Sequence, residues 1–304
     1  MPEGDTVWRA ARTLREALAG EVLVVGELRV PQLGGYDLSG RTVLDVVPRG
    51  KHLLMRFDDR RTLHTHLRMD GGWRVVDARK PWPRGNGPQH QLRVVLGASE
   101  VTALGYRVHD VALAPTSREG QWVDHLGPDV LGPDWDAAKA AANLAAQPDR
   151  AIGVALLDQH NLAGPGNIYR TESLFLHGVS PFTPVRDVTG LEPLVERTRQ
   201  LMLANLEDPS QQTTGSSRPG EQHWVQGRRG RPCRRCGTTV REVMFGDEVR
   251  REPASGHRGY SQERATAWCP HCQPGPQPDD ATYRRLRAAT PAAPDKLRKG
   301  PRPR

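Results

Sequence analysis

Cysteine is scarce in this chain. Its 304 residues include only four, all within two short pairs, Cys233–Cys236 and Cys269–Cys272. Such economy excludes the disulfide-stapled scaffold of a small secreted protein. Long apolar runs are missing as well. No stretch approaches the ~20 residues needed to span a bilayer, and the N-terminus lacks the apolar segment of a secretory signal. A cytoplasmic protein with no membrane partner is expected. A hydrophobic fraction of 37% and a mean hydropathy of −0.62 fit a soluble globular protein with sizeable flexible parts. The length suits about two or three domains.

Charge is plentiful and of one sign. The net charge is +8 and the pI near 9.7, which points to an anionic partner. Residues 276–304 hold eight Lys or Arg against three Asp, so most of the excess lies there. This Pro-, Ala- and Arg-rich stretch is expected to be a disordered basic tail. A second basic run, Arg228, Arg229, Arg231, Arg234 and Arg235, surrounds the first cysteine pair. Two basic segments flanking a cysteine module favour nucleic acid.

Apolar spacing divides the chain. Val7, Ala10, Ala11, Leu14 and Leu18 recur with helical period, predicting a helix over 6–19 that Gly20 ends. From Glu21 to about Leu113 the signal is β. Runs at Val22–Val25, Thr42–Val47, His52–Phe57, Gly72–Val76 and Leu92–Leu96 are punctuated by Gly, Pro and Asp. A sandwich or a barrel is expected, with a loop at Arg79–Pro88. Helical patterns follow at Trp135–Ala146, Ile152–Gln159, Asn167–Leu176 and Leu191–Leu206. Pro209–Gln222 is polar and aperiodic, the pattern of a mobile loop or linker.

Several residues carry chemical potential. Removal of Met1 would make Pro2 the terminus, a secondary amine that forms an iminium directly with an aldehyde. An α-amino group titrates at about 7.7–8.0, so much of it is nucleophilic at neutral pH. Glu3 follows and could move protons at the reacting carbon. Lys51 lies in the turn Pro48-Arg49-Gly50-Lys51 between two strands. Arg68, Met69 and Asp70 occupy another turn, where an exposed Met could act as an apolar wedge between bases. His64 and His66 share one side of a strand but lack an evident third metal ligand, so hydrogen-bonded histidines are expected. Asn167 opens a helix after Gly164-Pro165-Gly166, where free N–H groups suit phosphate. The two CxxC pairs offer four thiolates to one Zn²⁺. The 32 residues between them exceed the ~15–20 of an ordinary ribbon; an enlarged hairpin at Arg250–Gln262 would absorb the difference.

Taken in order, these motifs resemble a known family. They are Pro2-Glu3-Gly4, Arg49-Gly50-Lys51, His66–Trp73, Gly127–Leu131, Leu156–Gln159 with Ala163–Tyr169, and the cysteine pairs. The chain is similar to the formamidopyrimidine-DNA glycosylase and endonuclease VIII family of base-excision repair enzymes. Its start looks like the endonuclease VIII branch, in particular the actinobacterial type.

The resemblance implies a multidomain α+β fold. An N-terminal β-sandwich with a flanking helix (1–125) would precede a helix–two-turn–helix domain (126–222), a zinc finger (223–275) and the tail (276–304). It implies a monomer that binds damaged DNA, releases oxidised bases, pyrimidines favoured, and cleaves the strand by β,δ-elimination. Pro2 would form the Schiff base, Glu3 donate a proton, and Lys51 and Arg264 hold phosphates and assist elimination. Asn167 would bind phosphate, Arg68 and Met69 fill the gap left by a flipped base, and His125 add a DNA contact. Cys233, Cys236, Cys269 and Cys272 would hold one structural Zn²⁺. The family's Arg-x-Phe wedge is missing near Gly105-Tyr106-Arg107-Val108, and Arg258 competes with Arg264 for the finger's role. Two other readings stay open: a lyase for abasic sites only, and a non-catalytic zinc-ribbon binder of damaged DNA.

Overall fold

The computed structural model describes residues 2–80, 88–247 and 263–289. The chain opens with helix α1 (Gly4–Leu18), two residues earlier than its apolar period suggests. Val7, Ala11, Leu14 and Leu18 are all buried on one face, and Gly20, at φ 86°, turns the chain away.

Eight strands follow, paired as two antiparallel sheets. One has the order β1 (Val25–Leu28), β6 (Leu92–Gly97), β7 (Val101–Tyr106), β5 (Gly72–Asp77). The other has the order β2 (Val43–Arg49), β3 (His52–Phe57), β4 (Arg61–His66), β8 (Asp110–Pro115). Val46, Met55 and Leu63 from one sheet meet Val94, Leu96 and Ala103 from the other, with the apolar face of α1 in the same core. The arrangement is a sandwich.

Two differences from the sequence pattern have local causes. The run Val22–Val25 only begins a strand, because pairing with β6 starts at Val25 opposite Gly97, and Val22 and Val24 stay exposed. Strands β7 and β8 escaped the pattern because Ala, Gly and Pro dilute their β-branched residues. Within Arg79–Pro88, residues 81–87 lie outside the described set.

The second half is helical: α2 (Gly120–Val123), α3 (Ala137–Ala145), α4 (Ile152–Ala155), α5 (Asn167–His177) and α6 (Leu191–Leu203). Ala140, Leu144, Ile152, Leu156, Tyr169, Leu194 and Met202 form its core. Asp136 caps α3 by accepting the Lys139 N–H, and Gly178 ends α5 in the left-handed conformation. No helix among the described residues is long and apolar enough to cross a membrane.

A third cluster joins Phe175, Val225, Cys233, Val240, Ala267 and Cys269 beneath the antiparallel pair β9 (Arg241–Phe245) and β10 (Arg264–Trp268). The expected enlarged hairpin, Arg250–Gln262, lies outside the described residues.

The disordered tail expected from residue 276 needs correction. Asp280–Ala289 forms a helix, α7, which composition alone hid. Arg241 anchors it through Asp280 at 2.9 Å and lies over the Tyr283 ring, which itself meets Trp268 edge-on. Residues 290–304 lie outside the described set. Pro209–Gln222 is likewise not a free linker. Thr213 N–H donates to the Gln222 carbonyl at 2.7 Å, and the Thr213 hydroxyl donates to the buried Glu172 carboxylate.

Candidate active site

Three contacts bring the two halves and the β9–β10 module together. The first is made by Glu3, only 1% exposed. Its carboxylate receives the N–H groups of Gly166 at 2.7 Å and Ile168 at 2.8 Å, and a longer bond from Tyr169 at 3.4 Å. These belong to the first turn of α5, where unpaired donors and the helix dipole favour an anion. Gly4 N–H donates to the Gly164 carbonyl at 2.9 Å, which seats the start of α1 on the same loop. A Cβ at residue 166 would lie 2.7 Å from the Glu3 carboxyl carbon, so a side chain there displaces the Glu3 carboxylate. Pro2, half-buried, immediately precedes this anchored residue.

The second contact fixes Lys51. The β2–β3 turn needs Gly50 at φ 57°. Its N–H donates to the buried Asp129 carboxylate at 2.7 Å, and Arg49 pairs with Asp134 at 2.6 Å. Asp129 also accepts the Leu131 N–H at 3.1 Å, and its carboxyl is pushed up by burial. The motif Gly127–Leu131 thus holds the lysine turn from the helical side.

The third contact runs from α5 to β10. Asn167 Nδ2 donates to the Ala265 carbonyl at 2.9 Å, one residue after Arg264. Arg170, one turn along α5 and 0% exposed, donates to Asn167 Oδ1, the Gly153 carbonyl and the Ala265 carbonyl. Its Nε has no partner among the described residues. Arg170 was absent from the sequence expectations. The available signal was its spacing, i+3 from a helix-opening Asn.

Glu3, Lys51, Asn167 and Arg264 therefore meet where three modules join. Burial pushes the Glu3 carboxyl up, against the opposing pull of Lys51 and the α5 amides. Burial pushes the Lys51 ammonium down to about 8; Glu3 raises it and Arg264 lowers it further. Burial brings Arg170 down to about 9, with Arg264 adding to the shift and Glu3 opposing it. The site gathers cationic groups around the anchored Glu3 carboxylate.

Other expected residues lie on an adjoining face. Met69 is 61% exposed on the β4–β5 turn, and Arg68, at φ 52°, pairs with Asp110 at 2.6 Å. Asp70 ties this turn to the β7–β8 turn through His109 at 2.7 Å and Arg107 at 3.5 Å. His125 is exposed, with its ring 5.2 Å from His160 and 6.3 Å from His52. His52 Nδ1 lies 2.8 Å from His64 Nε2, and desolvation holds His52 and His64 near 4 and His66 near 3. These histidines are neutral at pH 7 and hydrogen-bonded.

Among the described residues, the metal-binding cluster is made by the four cysteines, whose Sγ atoms all lie within 4.8 Å of one another. Cys233–Cys272 is 3.9 Å and Cys236–Cys269 3.5 Å. A tetrahedral ion with bonds near 2.3 Å places its sulfurs about 3.8 Å apart, so the donor set fits.

Family profiles match most of this framework. The formamidopyrimidine-DNA glycosylase N-terminal domain matches residues 1–110, and the H2TH domain of the same enzymes matches 126–215. The chain belongs to the formamidopyrimidine-DNA glycosylase family. It is 50% identical over 280 residues to a probable endonuclease 8 2 of Streptomyces coelicolor, covering 91% of this chain and 96% of that one. A 41% match to endonuclease 8 2 of Mycobacterium tuberculosis covers 90% and 100%. A DNA-(apurinic or apyrimidinic site) lyase Nei2 of Mycolicibacterium smegmatis is 40% identical over 273 residues, covering 90% and 99%. A Lactococcus lactis formamidopyrimidine-DNA glycosylase bound to DNA with an abasic site shares the fold at TM-score 0.71 and 21% identity, covering 90% of this chain and all of that one. In this family member, the sandwich, the H2TH helices and the cysteine module converge on the start of α5.

The Glu3 anchor generates a direct prediction. Gly166→Ala should push Glu3 off the α5 amides and slow turnover on damaged DNA about 100-fold, the scale of a 1 Å misplacement. Single-turnover kinetics beside an unchanged far-UV spectrum would check it; an unaltered rate would contradict the anchor.

Proposed function

We propose that the protein is a DNA glycosylase and abasic-site lyase that works through the amine of Pro2. The observation that carries this reading is the buried Glu3 carboxylate, fixed on the α5 N-terminus beside Pro2 and within the field of Lys51.

Pro2 nitrogen bonds to C1′ of the damaged nucleoside as the C1′–base bond breaks and gives up its own proton. The C1′–O4′ bond then breaks, the sugar ring opens, and the product is an iminium. Glu3, whose carboxyl is pushed up by burial, serves as the acid at the sugar and protonates the departing O4′. The cationic nitrogen acidifies C2′–H. Loss of that proton expels the 3′ phosphate, and a second elimination expels the 5′ phosphate. Lys51, Arg264 and Asn167 hold the phosphates and stabilise the leaving charge. Arg68 and Met69 occupy the gap in the duplex, where the exposed thioether suits insertion between bases. His125 adds a contact on the same face. The lacking Arg-x-Phe wedge favours oxidised pyrimidines and loosens the check on the opposite base. One Zn²⁺ on the four cysteines would hold β9 and β10 together, and so Arg264 in place.

A lyase restricted to abasic sites is the second reading, favoured by the likeness to the Mycolicibacterium smegmatis abasic-site lyase at 40% identity. Release of base from dihydrouracil or thymine glycol duplexes separates the two: free base supports the glycosylase, strand scission at abasic sites alone supports the lyase.

Borohydride should trap wild-type protein on abasic DNA, and Pro2→Gly should lose most of the adduct. A variant that retains Met1 should give none, because its proline nitrogen is an amide. Undiminished trapping by that variant would exclude Pro2.

Lys51 acts as a cation, so its function is present below about pH 8 and lost above it. The alkaline limb of kcat/KM, which reports free-enzyme groups, should fall near pH 8. Lys51→Arg should move that limb upward; an unmoved limb would assign it to another group.

Metal analysis should find one zinc per active chain. Cys236→Ser or chelation should weaken DNA binding well before the sandwich melts. Active protein with less than about half an equivalent would exclude the zinc assignment.

A further inference from the structure

Asp5 is fully buried in the first turn of α1, two residues after Glu3. Its Oδ2 pairs with Arg9 Nη1 at 3.0 Å, and its Oδ1 accepts Gln211 Nε2 at 3.0 Å. The same amide lies 3.3 Å from Oδ2. Tyr169, buried on α5, faces this carboxylate: burial and then the charges of Asp5 and Glu3 push its hydroxyl well above the ordinary range. Arg9 extends the network to the Thr6 hydroxyl at 3.2 Å and to the Asn205 carbonyl.

Gln211 is the unusual member. It holds φ 52°, a left-handed conformation where glycine would be relaxed. Glycine cannot supply the amide that reaches Asp5. The backbone therefore keeps a strained residue for the sake of its side chain. The Gln211 carbonyl accepts His223 Nε2 at 2.9 Å, so the strained residue is held through its side chain by α1 and through its backbone by the residue that follows the 209–222 loop. Pro209 of that loop lines a cavity of about 350 Å³ together with Thr6, Arg9 and Trp73. The loop and the first turn of α1 thus share a wall.

The geometry points to Asp5 and Gln211 as a latch that couples the seating of the 209–222 loop to the placement of Pro2 and Glu3. Asp5 is a positioning residue in this scheme. It touches no reacting atom, and it fixes the turn from which the nucleophile and the acid project. A buried carboxylate is costly unless every partner is in place, so the turn is rigid only when the loop delivers Gln211. This inference rests on the reading of Pro2 as the nucleophile.

The test uses full-length, zinc-containing protein and two duplexes, one with an abasic site and one with an uncleavable tetrahydrofuran analogue. Gln211→Leu should slow single-turnover borohydride trapping by about tenfold to a hundredfold, while Kd for the analogue stays within about threefold. Gln211→Gly should raise Tm by relieving the backbone and still trap slowly, a split that a purely structural role would not produce. Asp5→Asn combined with Gln211→Leu should be no slower than the slower single variant, and Asp5→Asn combined with Gln211→Glu, which returns a carboxylate to Arg9, should recover much of the rate. Trapping by Gln211→Leu or Gln211→Gly at the wild-type rate, multiplicative effects in the double variant, or a Kd that weakens in step would each overturn the latch. Because Asp5→Asn risks misfolding, the two Gln211 single variants decide by themselves. Failure of wild-type protein to form any trapped adduct would instead overturn Pro2 as nucleophile, and the latch with it.

Discussion

The structure turns on one buried carboxylate. Glu3 belongs to the sandwich half, yet its hydrogen-bond partners are the first amides of α5 in the helical half. Burying a carboxylate is costly, and here the cost is offset by donors that a helix start leaves unpaired. The arrangement serves both sides: the helix gains an anion at its positive end, and the acid gains a fixed position. Removing either partner leaves the other unsatisfied in a dry joint. The N-terminal residues are thereby held between two modules instead of fraying like an ordinary terminus.

Around that carboxylate the molecule gathers positive groups that repel one another. Burial holds Lys51 and Arg170 below their ordinary ranges, and the charge of Arg264 pushes both in the same direction. Glu3 compensates only part of this charge. A phosphate entering the joint would relieve the repulsion and strengthen every cation–anion contact there. The same geometry explains why Asn167 and Arg170 face the Ala265 carbonyl. They tie β10 to α5, so the module bearing Arg264 is positioned by the helix that also anchors Glu3.

Much of this was legible in the chain. The apolar period of α1, the strand His52–Phe57 and the start of α5 at Asn167 follow from local patterns, which tertiary packing reinforces. The cysteine pairs announce a metal cluster, because thiolates at that spacing have few other uses. Less local features were hidden. Helix α7 looked like tail because its composition is polar and basic; its anchor is an arginine some forty residues earlier, on β9. The 209–222 segment looked free because its partners, Asp5 and Glu172, lie far away in sequence.

The sequence by itself determined which chemistry was available: a proline at position two beside a carboxylate, a lysine on a glycine turn, an Asn opening a helix, four cysteines in two close pairs, and an excess of cations for an anionic partner. It also determined the order of modules, because periodicity and turn residues are local properties of the chain. Only the tertiary structure decided which of these groups meet. That Glu3 seats on α5, that Asp129 grips the Gly50 turn, that Arg170 ties α5 to β10, and that Gln211 reaches Asp5 are contacts between residues dozens to two hundred positions apart. A local pattern carries no information about such pairs. They are selected by burial, where a polar group persists only if the fold delivers its partner.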